Sequence, residues 1–362
     1  MARRTARAMT QPSYFRPCID RMEGYVPGAQ PPGRIYAKLN ANENPYPPSP
    51  KVLAALRDTA SEALRLYPDS MASALRERIA EHHGVSPQQV LAGNGSDDLL
   101  TMILRSFVGP GQVVAAPRPT YPLYEVLVEM QDAVMRWVDF PPDFSLPPGL
   151  AETGARVAFV ANPNSPSGTW VEPSAIADLA SRLDGVLVVD EAYVDFADGD
   201  CLGLLGRFAN LVILRTFSKS YSLAGVRLGY ALASEEIIRG LAKVKDSYNV
   251  NRFAAAAGVA ALDDIAHMRS NVAKIRSERA RLTQALRAMG FFVHPSHANF
   301  VAVVFGRPTA KEVAAALARD GILVRTFRDP RLEDWVRITV GTPEQNGRIL
   351  AGIERLLGGM KP

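Results

Sequence analysis

Between residues 50 and 235 short apolar runs alternate with amphipathic stretches, and no other feature restricts the possible folds so tightly. Seven runs recur in order: QVLAG, QVVAAP, AVMRWV, RVAFVAN, VLVVDEAY, LVILRTF and VRLGYALA. Runs rich in Val, Ile, Leu and Ala without polar alternation suit strands buried on both faces of a mostly parallel sheet. Between them the spacing predicts helices over residues 50–66, 72–83, 96–107, 121–131 and 174–183. Strand and helix in turn predict an α/β chain, a mostly parallel seven-stranded sheet in an αβα sandwich. Past residue 234 the pattern changes to longer helices, with charge pairs at i,i+4 over 264–289. FFVHP, NFVAVVF, a helix over 309–319, ILVRTF, WVRITVG and a closing helix follow, which read as a smaller α+β domain.

The totals exclude several classes. At 362 residues, 47% hydrophobic and 22% charged, the composition is that of a soluble globular chain with room for two domains. The net charge of +4 is mild, and only Arg3, Arg4 and Arg7 cluster, so a nucleic-acid surface is not expected. Cys18 and Cys201 have neither disulfide-framework nor metal-ligand spacing, which fits a reducing cytoplasm. The basic start MARRTARAMTQ has no apolar core after it, so it is not a secretory signal. It reads as a flexible tail over residues 1–20, or as an upstream extension with the true start at Met9. No run of about 18 apolar residues spans a membrane. The stretch VPGAQPPGR cannot be helical and reads as an extended arm.

Ligands of open α/β sheets lie beyond the carboxyl ends of the strands. GNGSDD closes a strand in glycines and opens a helix at Ser96 and Asp97, an anion site or simply a turn and cap. FVANPNSPSG places Asn164 in a proline-locked loop, where it is either a donor to a ligand or a turn former. VLVVDEAYVDF carries an apolar strand straight into Asp190 and Glu191, and a buried carboxylate needs a partner. In TFSKSYSLAGVRLGY, Lys219 stands among small hydroxyls with Arg227 eight residues on. A lysine that must condense with an aldehyde wants a free amine, and Thr216, Ser218 and Arg227 suit a phosphate beside it. Together these groups point to pyridoxal 5′-phosphate: phosphate on the helix start and Arg227, aldehyde at Lys219, ring nitrogen at Asp190. His294 and His297 have no third ligand near them and read as loop residues. Arg325 is open between a second substrate contact, such as a distal phosphate, and a surface strand residue.

The motifs LNANENPYPPSP, LYPD, GNGSDD, PTYPLY, NPNSPSGT, VVDEAYVDF, RTFSKSYSLAGVRLGY, ANF and VRITVGT follow one another in order. In them the chain resembles fold-type-I pyridoxal-phosphate aminotransferases, most closely the histidinol-phosphate aminotransferase group. The resemblance covers the chain from about Tyr25 to the last helix. It implies that Lys219 engages the cofactor aldehyde and afterwards moves the Cα proton. It implies that Asp190 pairs with the ring nitrogen, that Tyr193 and Asn164 donate to the ring hydroxyl, and that Tyr121 stacks on the ring. Ser96, Asp97, Thr216, Ser218 and Arg227 would cup the phosphate. Tyr67 would reach the phosphate of a neighbouring subunit, so a homodimer with shared sites is implied. Arg337 would grip the substrate α-carboxylate, and Tyr25 and Asn42 would close over the substrate. Taken singly, each of these tyrosines is as well explained as a core aromatic, and Arg337 as a cross-strand partner.

Two positions depart from the group. The loop reads NSPSG, with Ser165 and Ser167, where Asn-Asn-Pro-Thr-Gly is usual, so the ring-hydroxyl role is placed on Asn164. Asp97–Asp98 stands for the more usual Asp-Glu. The domain division expected is 46–262 for the cofactor-binding domain, with 21–45 joining 263–362 in the smaller one. The activity implied is transamination of L-histidinol phosphate with 2-oxoglutarate, in histidine biosynthesis. Aromatic amino-acid transamination and a threonine-phosphate decarboxylase-type lyase remain the alternatives. A regulator with an aminotransferase-like domain needs a helix-turn-helix module, and only about 20 residues precede Tyr25.

Overall fold

The computed structural model describes residues 13–25 and 35–359. Arg3, Arg4, Arg7, Met9 and the whole of the proline-rich stretch VPGAQPPGR, residues 26–34, lie outside the described residues. Within the span assigned to the tail, helix α1 (Pro17–Arg21) buries Cys18. Arg16 Nη2 donates to the Met130 carbonyl at 2.7 Å, a cation at the end of a later helix.

The elements follow in chain order. After α1 come β1 (Ala37–Lys38), α2 (Pro50–Thr59), α3 (Ser73–His83), β2 (Val90–Gly93) and α4 (Ser96–Phe107). Then come β3 (Val113–Arg118), α5 (Leu123–Met130), β4 (Val134–Asp139), β5 (Val157–Ala161) and α6 (Pro173–Arg182). The large sheet is completed by β6 (Val186–Asp190), β7 (Leu211–Thr216) and β8 (Gly229–Ala233), followed by α7 (Glu235–Ala242) and α8 (Arg252–Leu262). The remainder is α9 (Ile265–Ala288), β9 (Phe292–Val293), β10 (Phe300–Val304), α10 (Ala310–Arg319), β11 (Ile322–Leu323), β12 (Trp335–Thr339) and α11 (Pro343–Gly358).

Seven strands form one sheet in the order β2-β8-β7-β6-β5-β3-β4. Only β8 runs against its neighbours; the other pairs are parallel. The carboxyl ends of β2, β3, β5, β6 and β7 therefore share one edge with the amino end of β8. Successive residues face opposite sides. Val160, Val189 and Ile213 join a core with α3, α6 and α8, while Phe159, Val188 and Leu214 join a core with α4, α5 and α7. Each such fully buried side chain contributes about 1.5–3 kcal/mol over an exposed one. A third core gathers β10, β12, α10 and α11 with Ala37 and Leu39 of the arm. Helix α9 serves two cores, with Met268, Val272 and Ile275 in the first and Leu282 and Leu286 in the third.

Some elements are shorter than the sequence predicts. The helix expected over 50–66 stops at Thr59, and Glu62–Arg65 is a separate 3-10 turn. None of Glu62–Arg65 is buried, so no packing sustains a continuous helix. FFVHP and ILVRTF yield only two-residue strands, β9 and β11. β11 pairs in parallel with β1, and past it Arg325 bridges to Arg337 of β12.

Candidate active site

Lys219 lies in the loop after β7, and a segment remote in sequence holds it. Asn44 Nδ2 donates to the Lys219 carbonyl at 3.0 Å and to the Ser220 carbonyl at 3.2 Å. Lys219 Nζ donates to the Ala41 carbonyl at 3.4 Å and lies 5.7 Å from the centre of the Tyr193 ring. The Tyr193 hydroxyl accepts from Asn42 Nδ2 at 2.8 Å. Asn42 takes a left-handed backbone, φ 57°, that a short polar residue tolerates, and its N–H donates to Thr339 Oγ1 at 3.0 Å. Residues 41–44 thus tie the ends of β6, β7 and β12 into one cluster.

Asp190, the last residue of β6, is 6% exposed. Its Oδ2 accepts from the Tyr124 hydroxyl at 2.8 Å, and Oδ1 from the Ala192 N–H at 3.2 Å. Burial pushes its carboxyl up to about 6, against the lowering effect of the Tyr124 hydrogen bond. Glu191, beside it, turns to the other side and pairs with Arg215, Nε to Oε2 at 2.9 Å. The adjacent acids of DEAY thus serve two unrelated purposes.

The start of α4 is built for close approach. Gly95 caps it with φ 84° and no side-chain bond to the first turn. A Cβ on Gly95 would lie 2.7 Å from Arg227 Nη2, and one on Gly229 would lie 2.6 Å from the Ser96 nitrogen. Only glycine allows the helix start, β8 and the guanidinium to meet. Arg227, itself left-handed at φ 59°, donates to Asp97 Oδ2 at 2.9 Å. Thr216 and Ser218, both buried, face one another with their hydroxyls 3.0 Å apart.

Arg337 of β12 is half-buried. Nη1 donates to Ser165 Oγ at 2.9 Å and Nη2 to the Asn40 carbonyl at 3.1 Å, while Nε is shut from solvent without a partner. Burial lowers its pKa, and no carboxylate pairs with it among the described residues. A half-buried cation without a carboxylate partner calls for an anion. Asn164 and Ser165 divide their loop differently from the sequence reading. Asn164 Nδ2 donates to the Pro119 carbonyl at 3.1 Å and to Ser167 Oγ at 2.9 Å, and Oδ1 accepts from Thr120 at 2.8 Å. Both amide protons are therefore spent inside the protein, and Ser165 is the loop side chain that joins Arg337.

Tyr121 is held on the same edge, its hydroxyl 3.3 Å from Asp97 Oδ1, and burial raises its pKa far above the usual tyrosine value. Tyr25 meets it edge-on, ring centres 6.1 Å apart. Tyr67 has its contacts elsewhere: it is 78% exposed, stacks on Tyr248 at 4.5 Å, and its carbonyl accepts from Arg252. His294 packs on Trp335 at 4.1 Å, and His297 lies 3.3 Å from Asp198. Among the described residues no group of three or more His, Cys, Asp or Glu could hold a metal, and no helix is long and apolar enough to cross a membrane. The sequence reading gave no role to Tyr124, Asn44 or Ser165. Tyr124 stands in the quoted motif PTYPLY, but Tyr121 precedes α5, which begins at Leu123, so helical spacing alone does not pair the two.

The donor set suits a flat phosphorylated pyridine aldehyde. A lysine amine rests on a carbonyl and not on a counter-ion, a buried carboxylate has both oxygens oriented, and an uncapped helix start adjoins an arginine. Fold and donor set define an aminotransferase: the chain belongs to the aminotransferase class I and II family, whose model matches residues 34–353. Within it the chain belongs to the histidinol-phosphate aminotransferase group. It is 44% identical over 348 residues to histidinol-phosphate aminotransferase 1 of Trichormus variabilis, covering 95% of this chain and 99% of that one. It is 42% identical to the histidinol-phosphate aminotransferase of Rhodopirellula baltica, covering 95% and 96%. The crystal structure of histidinol-phosphate aminotransferase from Sinorhizobium meliloti in complex with pyridoxal-5′-phosphate superposes with a TM-score of 0.88 at 28% identity, covering 98% of this chain and all of that one. The architecture is accordingly the fold-type-I transferase fold.

Proposed function

We propose that this aminotransferase uses pyridoxal 5′-phosphate to convert L-histidinol phosphate and 2-oxoglutarate to imidazole acetol phosphate and L-glutamate. The observation that carries the reading is a pair of cations on consecutive carbonyls: Lys219 on Ala41 and Arg337 on Asn40. One is an amine that can condense with an aldehyde, the other a fork that can grip an anion.

When bound, the cofactor supplies the aldehyde that takes up the amino group and the ring that draws electrons from the bond broken at Cα. Lys219 Nζ would hold that aldehyde and, as a free amine, would carry the Cα proton. Asp190 would hold the ring nitrogen, and Tyr193, already fixed by Asn42, would bind the ring hydroxyl; Asn164 would join it by giving up one of its two internal amide hydrogen bonds. Tyr121 covers the ring face. The amides of Ser96 and Asp97, with Thr216, Ser218 and Arg227, hold the phosphate. Arg337 takes the α-carboxylate of glutamate. Histidinol phosphate has no α-carboxylate, so the same fork takes its phosphate. Arg325 stands beside Arg337, exchanging backbone hydrogen bonds with it at 3.0 and 2.8 Å, and is a second cation for that phosphate. Tyr25 and Asn42 border the substrate.

The active unit is a homodimer in which Tyr67 reaches the partner's phosphate; its exposure supports this. The cofactor domain is about 46–262 and 21–45 joins 263–362 in the smaller one, with α9 packing across the boundary through Met268, Val272 and Ile275 in the first core. Cys18 and Cys201 are free thiols, which suits the cytoplasm. Purified enzyme given a panel of amino donors with 2-oxoglutarate tests the substrate by glutamate formation. Histidinol phosphate should be preferred to phenylalanine and tyrosine. Preference for the aromatic amino acids, or CO2 release from threonine phosphate, would overturn the assignment.

A further inference from the structure

We propose that Tyr124 is a positioning residue for transamination, its hydroxyl holding Asp190 as the carboxylate that meets the cofactor's ring nitrogen. The proposal rests on the reading of Asp190 given above.

Tyr124 is fully buried on α5 and makes one polar contact among the described residues, to Asp190 Oδ2 at 2.8 Å. Its ring is clamped. It stacks on Phe159 of β5 with centres 4.6 Å apart and planes 14° apart, and meets Tyr121 edge-on at 5.6 Å. The hydroxyl therefore has one direction to point, and side-chain freedom has already been given up to aim it.

The groups that act on Asp190 come from three elements: Tyr124 from α5, Asp97 from α4 and Lys219 from the loop after β7. Burial and Asp97 favour the neutral acid, while Tyr124, the Ala192 N–H and Lys219 favour the carboxylate. Tyr124 keeps its own proton, because burial and the neighbouring Asp190 raise its pKa well above the ordinary value. It is thus a permanent donor, where a histidine would change with pH. Oδ2 is engaged by Tyr124 and Oδ1 by Ala192, so the carboxylate plane is set before any ligand arrives. A neutral Asp190 could not stabilise a protonated pyridine, so losing the hydroxyl weakens the pair most where Asp190 is closest to protonation.

The test titrates apoprotein with two ligands, pyridoxal phosphate and its carbocyclic analogue in which C–H replaces the ring nitrogen. Tyr124→Phe keeps the stacked ring and removes only the oxygen. Pyridoxal phosphate should bind this variant about tenfold more weakly at low pH and lose less as pH rises, while the analogue should bind as it does to wild type. Phe159→Leu, which loosens the clamp, should shift the same ratio in the same direction and serves if Tyr124→Phe folds poorly. Equal loss for both ligands, or no loss for pyridoxal phosphate in either variant, overturns the proposal. Asp190→Asn is run alongside. If it leaves the preference for pyridoxal phosphate over the analogue intact, the reading of Asp190 itself has failed. If it abolishes that preference while the Tyr124 and Phe159 variants do not, only the present inference has failed.

Discussion

Arg337 of β12 meets Ser165 of the loop after β5, Nη1 donating to Oγ at 2.9 Å, and no carboxylate pairs with the guanidinium among the described residues. The serine orients a half-buried cation without neutralising it, which leaves the charge for a substrate. Arg337→Lys keeps the charge and loses the planar fork. KM for both glutamate and histidinol phosphate should rise at least about tenfold. Ser165→Ala removes one hydrogen bond and should raise KM by a few-fold, about 1 kcal/mol, with a smaller change in kcat. Steady-state kinetics with each substrate varied separately checks both.

Lys219 and Tyr67 should act on different sites of a dimer. Lys219→Ala should abolish turnover together with the visible absorption of the lysine-bound cofactor, and Tyr67→Ala should lower cofactor affinity. Mixed after co-refolding, the two variants form hybrids in which one site carries both changes and the other carries neither. Activity should return to about a quarter of wild type, as expected for half the dimers each having one intact site. No recovery in hybrids isolated by differential tagging refutes a shared site.

Asp190 should make the apoprotein less stable as pH rises. Its folded pKa is raised from 3.8 to about 6, so between these values the folded chain keeps a proton that the unfolded chain releases. Stability from this group is present below the lower value and lost as pH rises through the upper one. Asp190→Asn lacks the effect and should gain on wild type across that window by up to about 3 kcal/mol. Urea unfolding of both apoproteins across the range measures the difference, and a constant gap contradicts it.

His294 works in the opposite sense. Burial lowers its pKa from 6.5 to about 4, and its Nε2 has no hydrogen-bond partner. Above 6.5 the ring is neutral in both states. As pH falls through the window down to about 4, the unfolded chain takes up a proton the folded one refuses, and stability is lost. His294→Phe keeps a ring against Trp335 and Phe144. It should add about 2 kcal/mol near pH 5 relative to its effect at neutral pH, measured by denaturant unfolding.

The fold class and most element positions were legible because they depend on local periodicity. α4 was predicted over 96–107 and is found there, since a glycine N-cap precedes it and an apolar stripe runs its length. The strand ends at Asp190 and Thr216 were equally plain, because an apolar run meeting polar residues is itself a local signal. The order of the seven strands, which makes those ends share one edge, is set by packing among all of them and by no single segment.

What the chain determined by itself was which residue types stand at the strand ends: a lysine among hydroxyls, an acid after an apolar run, an arginine in a strand. What only the tertiary structure decided was which of them meet. Asn44 reaches the Lys219 carbonyl across 175 positions, and Arg337 reaches Ser165 across 172. In the Asn164–Ser165 pair, adjacent in sequence, one side chain turns to Ser167 and to residues 119–120 after β3, the other toward the arginine. The physical reason is that a hydrogen bond is fixed by distance and direction in space. Side-chain direction within an irregular loop follows from packing contributed by the rest of the chain, which no local pattern records.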